Sequence, residues 1–289
     1  MRPITVTVGP VTNPGTATSI ANAQGAPLAG QLLLAPAPPG GASTNTYQGN
    51  CSVVGDLLTV VTTTSGALTV GARLVGNGLP PNCVIVGPEP DVPGNWVINP
   101  PATAPLSSRQ VRANQLTTLD VPREVQIVNT EAVGNSFTVY GTNEDGQPIQ
   151  ETLATNGGNL TTSLNFATVT QVTIAAPAVA NVSVGTTSQA ESRWVNFDPW
   201  AYGNVSYQVD VQGVANYTVQ ITNDDPMSPT NPVPPDLVTW LPDPNAGMVG
   251  ASTPQFAVWQ FIPLWARVLL NSGAGAVTAT FVQTGVVNR

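Results

Sequence analysis

The sequence predicts an all-β protein: tandem β-sandwiches, Ig-like or jelly-roll-like, with a small barrel-like β insertion and an extended N-terminal arm. Three observations carry that prediction. The first is the period of 2 across "VSYQVDVQGVANYTVQIT", residues 205–222. There Val205, Tyr207, Val209 and Val211 alternate with polar neighbours, and Tyr217, Val219 and Ile221 resume the alternation after Gly213. One strand face is buried and the other wetted. The second is the abundance of Pro (28) and Gly (27) in 289 residues, which leaves few places for helices longer than a few turns. The third is the spacing of short apolar runs at roughly 8–12 residues between turn signals, as in sandwiches.

Taken in order, residues 1–30 form the arm. Ile4, Val6 and Val8 open it with a β pattern, and the Gly/Pro/Ala/Thr stretch after them is too broken to own a core. We expect the arm to be mobile alone and ordered by strand addition to a neighbouring subunit. Residues 31–43 and 115–190 read as one interrupted sandwich. Its strands are "QLLLAPA" (a buried strand at 31–37), "REVQIVN", "SFTVYGT", "IQETLAT", "VTQVTIAA" and "NVSVGTT", with a hairpin turn at Glu144-Asp145-Gly146. Residues 44–114 form the insertion, its short β runs separated by Gly/Pro turns as in a small barrel or sandwich. Residues 191–289 form the last sandwich. Its strands are the two halves of 205–222, expected to pair as one antiparallel hairpin about Gly213, then "LVTWLP", "FAVWQFI", "RVLLN" and "VTATFVQTG".

Composition excludes several chemistries. The charged fraction is 8%, against about 25% in ordinary domains, so the surface must be Thr, Asn, Ser, Gln, Gly and Pro. The net charge of −8, without a basic cluster, argues against direct nucleic-acid binding. With no His there is no His-based triad or His-ligated metal, and with no Lys there is no Schiff base or P-loop lysine. No catalytic residue, cofactor or metal site is expected. Neither a membrane span nor a secretory signal is expected, because no run of 18 apolar residues occurs and no basic region precedes an apolar one.

The remaining constellations have ordinary readings. Asp224-Asp225 and Glu144-Asp145 read as turn chemistry, since no calcium-loop pattern surrounds them. Five of six Trp fall in the last domain. Trp240 and Trp259 lie within apolar runs and read as core. Trp200 and Trp265, beside Pro199 and Leu264, read as exposed contact groups, with a sugar-stacking platform as the alternative. Cys51 and Cys83 both lie in the insertion, and a disulfide and two separate buried thiols are equally compatible with their positions.

The segments "RPITVTVG", "VPREVQIVNTEAVGNSFTVYGTNEDGQPIQETLA" and "VANYTVQITNDDP…VTWLPDP…RVLLNSGAGAVTATFVQTG" resemble virion structural proteins of tailed bacteriophages. The insertion is similar to a β-rich module recurring in phage structural and fibre proteins. The resemblance implies a non-enzymatic virion component, foremost a head decoration (cement) protein assembled in the bacterial cytoplasm. Its partners would be the major capsid protein or other virion structural proteins, and it would form a dimer or trimer. A tail, collar or fibre-attachment component and a displayed glycan-binding module are the other readings. The expected contact residues are Ile4, Val6 and Val8 of the arm, Trp200, Tyr202 and Trp265 near loop ends, and Arg193 and Arg267 at the rim.

Overall fold

In the computed structural model the described residues are 4–12, 21–24, 30–31, 42–129, 134–155, 158–178, 180–201 and 203–283. Ahead of the insertion the chain forms β1 (Ile4–Thr12) and β2 (Ala21–Gln24) in the arm, then β3 (Gly30–Gln31) and β4 (Ala42–Thr44). The insertion contributes β5 (Tyr47–Val54), β6 (Leu57–Gly66), β7 (Leu74–Gly76), β8 (Val84–Pro88), β9 (Asn95–Asn99) and β10 (Leu106–Ala113). The middle region holds β11 (Leu116–Asn129), β12 (Asn135–Thr142), β13 (Pro148–Thr155), β14 (Gly158–Ile174) and β15 (Val182–Glu191). The last holds β16 (Val195–Asn196), β17 (Val205–Gln212), β18 (Ala215–Thr222), β19 (Leu241–Pro242), β20 (Gln255–Trp259), β21 (Trp265–Gly273) and β22 (Ala276–Gln283). Two 3-10 turns, Pro235–Leu237 and Ala246–Met248, are the helical elements among the described residues, so the all-β expectation holds. "LVTWLP" is strand only at Leu241–Pro242, because Pro234 and Pro235 start the first of these turns.

The insertion is a six-stranded sheet in the order β7-β10-β5-β6-β9-β8. Leu74 N–H donates to Cys83 O at 2.7 Å and Ile85 N–H to Ala72 O at 3.0 Å, joining the two ends of the sheet. That closure removes the sheet's free edges and encloses a core of its own, including Tyr47, Leu58, Leu74, Ile85 and Val111. Cys51 and Cys83 are two separate buried thiols inside it. Burial pushes the Cys83 thiol up to about 12, so it packs as a small apolar group.

A twelve-stranded sheet runs through the rest, in the order β13-β12-β14-β11-β15-β21-β18-β19, with β2, β3, β4 and β16 on its margins. Long strands let it curl. β11 advances from Thr118 to Arg123 while β14 moves only from Thr168 to Phe166. The bulge between them holds Pro122, which has no N–H to give a ladder, and is tied by bidentate Arg123–Asp120 hydrogen bonds of 2.8 and 2.7 Å. β15 pairs with β11 from Val182 to Thr186 and again at Ala190, and with β21 at Ala190 and Glu191, carrying the sheet from the middle region into the last one.

The last region is a sandwich of that sheet and a four-stranded one, β1-β22-β17-β20. Tyr207, Val209, Tyr217, Val219 and Ile221 all lie in its core, as their alternation predicts. The expected hairpin, however, does not form. β17 pairs with β20 and β22 in one sheet, whereas β18 pairs with β21 and β19 in the other. The chain turns through an arch at Gly213, and the apolar faces of the two strands oppose each other instead of lying side by side. β21 and β22 make a second arch, which nests on the first. Gly275 N–H donates to Val214 O at 2.7 Å. A Cβ on Gly275 would sit 2.4 Å from Gln212 O, and one on Gly273 2.3 Å from Val214 O.

The arm's partner also differs from the expectation. β1 adds to β22 of its own chain, from Ile4↔Gln283 to Thr12↔Ala276. A bulge between Val8 and Val11 brings both valines to the buried face, in the core beneath the sheet. Each fully buried Val contributes roughly 1.5–3 kcal/mol, which anchors the strand here without a neighbour. The stretch 32–37, read as a buried strand, lies outside the described residues.

The nested arches make a sharp prediction. Gly273 has φ +106° and no room for a Cβ, so Gly273→Ala should cost about 2–5 kcal/mol from left-handed strain plus overpacking. Gly55 has φ +61° with open space around it, so Gly55→Ala should cost only about 1–2 kcal/mol. Denaturant unfolding of the two variants checks this, and equal losses would contradict the nesting.

Candidate assembly surface

β20 is the terminal strand of the four-stranded sheet, and one of its edges has no strand partner among the described residues. Ala257 and Trp259 point into the core, while Phe256 (67% exposed), Val258 and Phe261 lie open. The run 255–262 carries no charge and no Pro, the devices that ordinarily blunt an edge. The loop holding Trp200 sits at the same end of this sheet. It leads into Val205, which pairs with Trp259, and Asp198 N–H donates to Gln283 Oε1 at 3.0 Å. Trp200 is 89% exposed, its N–H donating to Asp198 Oδ1 at 2.9 Å. Edge and loop together form a surface that is apolar apart from Asp198, whose carboxylate accepts from the Trp200 backbone N–H.

The other expected contact residues divide. Arg193 is exposed, facing Glu144 and Asp145 across a cleft of about 460 Å³ between the middle and last regions. Val6 is half-buried and Val8 buried against the chain's own core, the side chain of Ile4 lies outside the described set, and so does Tyr202. Trp265 (7% exposed) and Arg267 (8%) are buried and offer no surface. Both belong to β21, where Trp265 to Val268 are all buried, since the sandwich covers one face and the loop 233–242 the other.

Arg267 is instead the centre of a polar cluster. Its Nη1 donates to the fully buried Glu191 carboxylate, its Nε to Gln220 Oε1 at 2.8 Å, and its guanidinium lies 4.4 Å over the Trp240 ring. Glu191 also accepts from Trp194 Nε1 at 3.3 Å and Asn165 Nδ2 at 3.2 Å. Burial pushes the Glu191 carboxyl above the usual range, against the pull of Arg267, Trp194 and Asn165. Glu124 is raised by the same cause. A second buried carboxylate, Asp243, accepts from Tyr207 Oη, from Trp259 Nε1 at 3.0 Å and from Asn245 N–H at 2.8 Å, pinning the loop after β19 to the core. Each of these groups holds sheets or loops together. Among the described residues no three His, Cys, Asp or Glu gather to hold a metal ion, and no helix is long and apolar enough to cross a membrane.

Phe256, Val258 and Phe261 were missed because "FAVWQFI" reads as a buried strand; the alternation shows two faces but not that the strand is terminal. Comparison with protein-family models, with curated proteins and with solved structures found no match for the chain.

Two predictions follow from the cluster. Arg267→Met leaves Glu191 buried without its partner and should cost about 3–5 kcal/mol, while adding Glu191→Gln should recover much of that loss. Thermal unfolding of both variants measures it, and a loss under about 1 kcal/mol for Arg267→Met would return Arg267 to the surface. The second concerns pH. Glu191 and Glu124 bind protons more readily folded than unfolded. Their contribution is therefore fullest below the ordinary carboxylate value of about 4.3 and declines as pH rises through their raised values. Burial works to raise Asp120, but its hydrogen bonds and ion pair with Arg123 outweigh that and lower it, so it acts oppositely, its contribution lost as pH falls below about 3.9. Melting temperature should hold or rise as pH falls from 7 to 5, and a steady fall over that range would contradict the assignment.

Proposed function

We propose that this chain is a non-enzymatic structural protein of a tailed-bacteriophage virion, acting as a head decoration protein that bridges major capsid protein subunits. The observation that carries the reading is the uncharged β20 edge with Phe256, Val258 and Phe261 exposed beside Trp200. An open strand edge recruits a partner strand through backbone hydrogen bonds, and the alternate side chains set specificity. Large apolar groups at an edge fit a protein partner, and the low charge fits one that is not nucleic acid. The resemblance of "RPITVTVG" and the 121–154 and 214–285 segments to phage virion proteins supports the same reading.

Decoration works by mass action, because a protein that binds the assembled shell and not its dissociated subunits stabilises the shell. The contact carries a single charge, Asp198 in the Trp200 loop, so its salt dependence should be weak. Purified protein should therefore bind tailless heads, stay bound at moderate salt and raise the temperature at which heads rupture. Phe256→Lys with Val258→Lys places charge on the edge without touching the core and should weaken binding at least about tenfold, about 1.4 kcal/mol. Labelled protein found on tails or fibres, with heads left bare, would replace decoration by a tail or fibre-attachment role.

A further inference from the structure

Two strands terminate the four-stranded sheet β1-β22-β17-β20, and each has one edge without a strand partner among the described residues. They differ in what protects that edge. β1 carries Pro10 and a bulge between Val8 and Val11, both of which blunt an edge. β20 carries no Pro and no charge, and pairs with β17 from Gln255 to Trp259 without a shift in register. The pairings also align the outer face of the sheet in rows. One row runs Thr7, Thr280, Gln208, Phe256, and the next Thr5, Val282, Ser206, Val258. Phe256 is 67% exposed and Val258 45%. Each row therefore ends on its most exposed apolar group, which has a polar side chain of β17 as its one neighbour in the row.

We propose that in the free protein a second copy of this chain covers the β20 edge, the two β20 strands pairing antiparallel about a two-fold axis through Ala257. In that register Phe256 stands opposite the partner's Val258, and Val258 opposite the partner's Phe256. One surface then serves both copies, as a two-fold interface requires. An aromatic ring beside a β-branched side chain is a favourable cross-strand pair, and the two pairs meet at the axis as one apolar patch. No like charges are brought together there, because the run 255–262 has none. The two sheets become one continuous sheet, and each row crosses the axis with its apolar pair in the middle. Pairing β20 with the partner's β1 would instead set Phe256 and Val258 against Thr5 and Thr7, without an apolar neighbour. The dimer goes beyond the capsid contact and does not depend on it. An edge holds one added strand, so self-pairing occupies in solution the place that a shell partner takes on a particle.

The test is sedimentation equilibrium of the purified full chain, joined to disulfide cross-linking. Between about 1 and about 500 μM the mass should rise from one chain to two, with a dissociation constant on the order of 10 μM, as suits a small interface. Phe256→Lys with Val258→Lys should weaken the dimer at least about tenfold. Its melting temperature in dilute solution should match that of the unaltered chain, which separates loss of the contact from loss of the fold. Register is read by mixing a Phe256→Cys chain with a Val258→Cys chain and oxidising them. Residues directly opposite have Cα atoms about 4.5–5.5 Å apart, within disulfide range, so the mixture should cross-link. Either variant alone sets its cysteines on the diagonal, about 7–8 Å apart, and should cross-link at least about tenfold less. The native Cys51 and Cys83 are both buried and stay out of the reaction. The proposal is overturned by a single-chain mass at every concentration, by a mass beyond two chains, by an unweakened double-Lys variant, or by equal cross-linking in the mixture and in either variant alone. No heads enter the experiment, so its failure leaves decoration standing, and heads that stay bare leave the dimer standing.

Discussion

The last sandwich depends on one close approach of backbone to backbone: the nesting of the 273–275 turn against Gln212–Val214. Because Gly273 and Gly275 carry no Cβ, the second arch settles onto the first and Gly275 N–H reaches Val214 O. Once nested, the arches dictate the pairings. β17 must run beside β22, and β18 beside β21, with Tyr207, Val209, Tyr217 and Val219 facing one another across the gap. Among the described residues β20 then has one strand neighbour, β17, and lies at the sheet's edge, and β21 is placed to meet β15. The exposed edge and the buried Glu191–Arg267 pair, which look unrelated in the chain, both follow from that crossing.

The strands and their inward faces were legible in the sequence because alternation is a local property. Tyr207, Val209, Val219 and Ile221 were assigned to the core from it, and the turn at Gly146 was legible from its Glu-Asp-Gly residues. Strand partners were not legible. A hairpin and an arch show the same alternation and the same positive-φ Gly213, and they differ only in whether the apolar faces end side by side or opposed. The partner of the arm was hidden likewise, since Val6 and Val8 fit any open edge and only the bulge at Val8/Val11 suits β22.

The contact residues show the same limit. Trp200, next to Pro199 in a loop, was readable as exposed. Trp265 and Arg267 sit on a strand whose second face is covered by the loop 233–242, and nothing local announces that cover. Arg267 lies on the polar phase of its strand yet is buried because Glu191, 76 positions earlier, meets it there. Conversely, Phe256 and Val258 look like core in the chain and lie open because they sit on the outer face of the four-stranded sheet, opposite the buried Ala257 and Trp259. Edge position is a property of the whole topology, and here it generates the surface on which the functional reading stands.

Backbone NOEs across the last domain test the arch directly. The crossing predicts contacts linking Tyr207 to Phe281 and Val219 to Val268, with none linking Asp210 to Tyr217. Contacts between Asp210 and Tyr217, as a hairpin about Gly213 requires, would contradict the nested arches and with them the placement of β20 as an open edge.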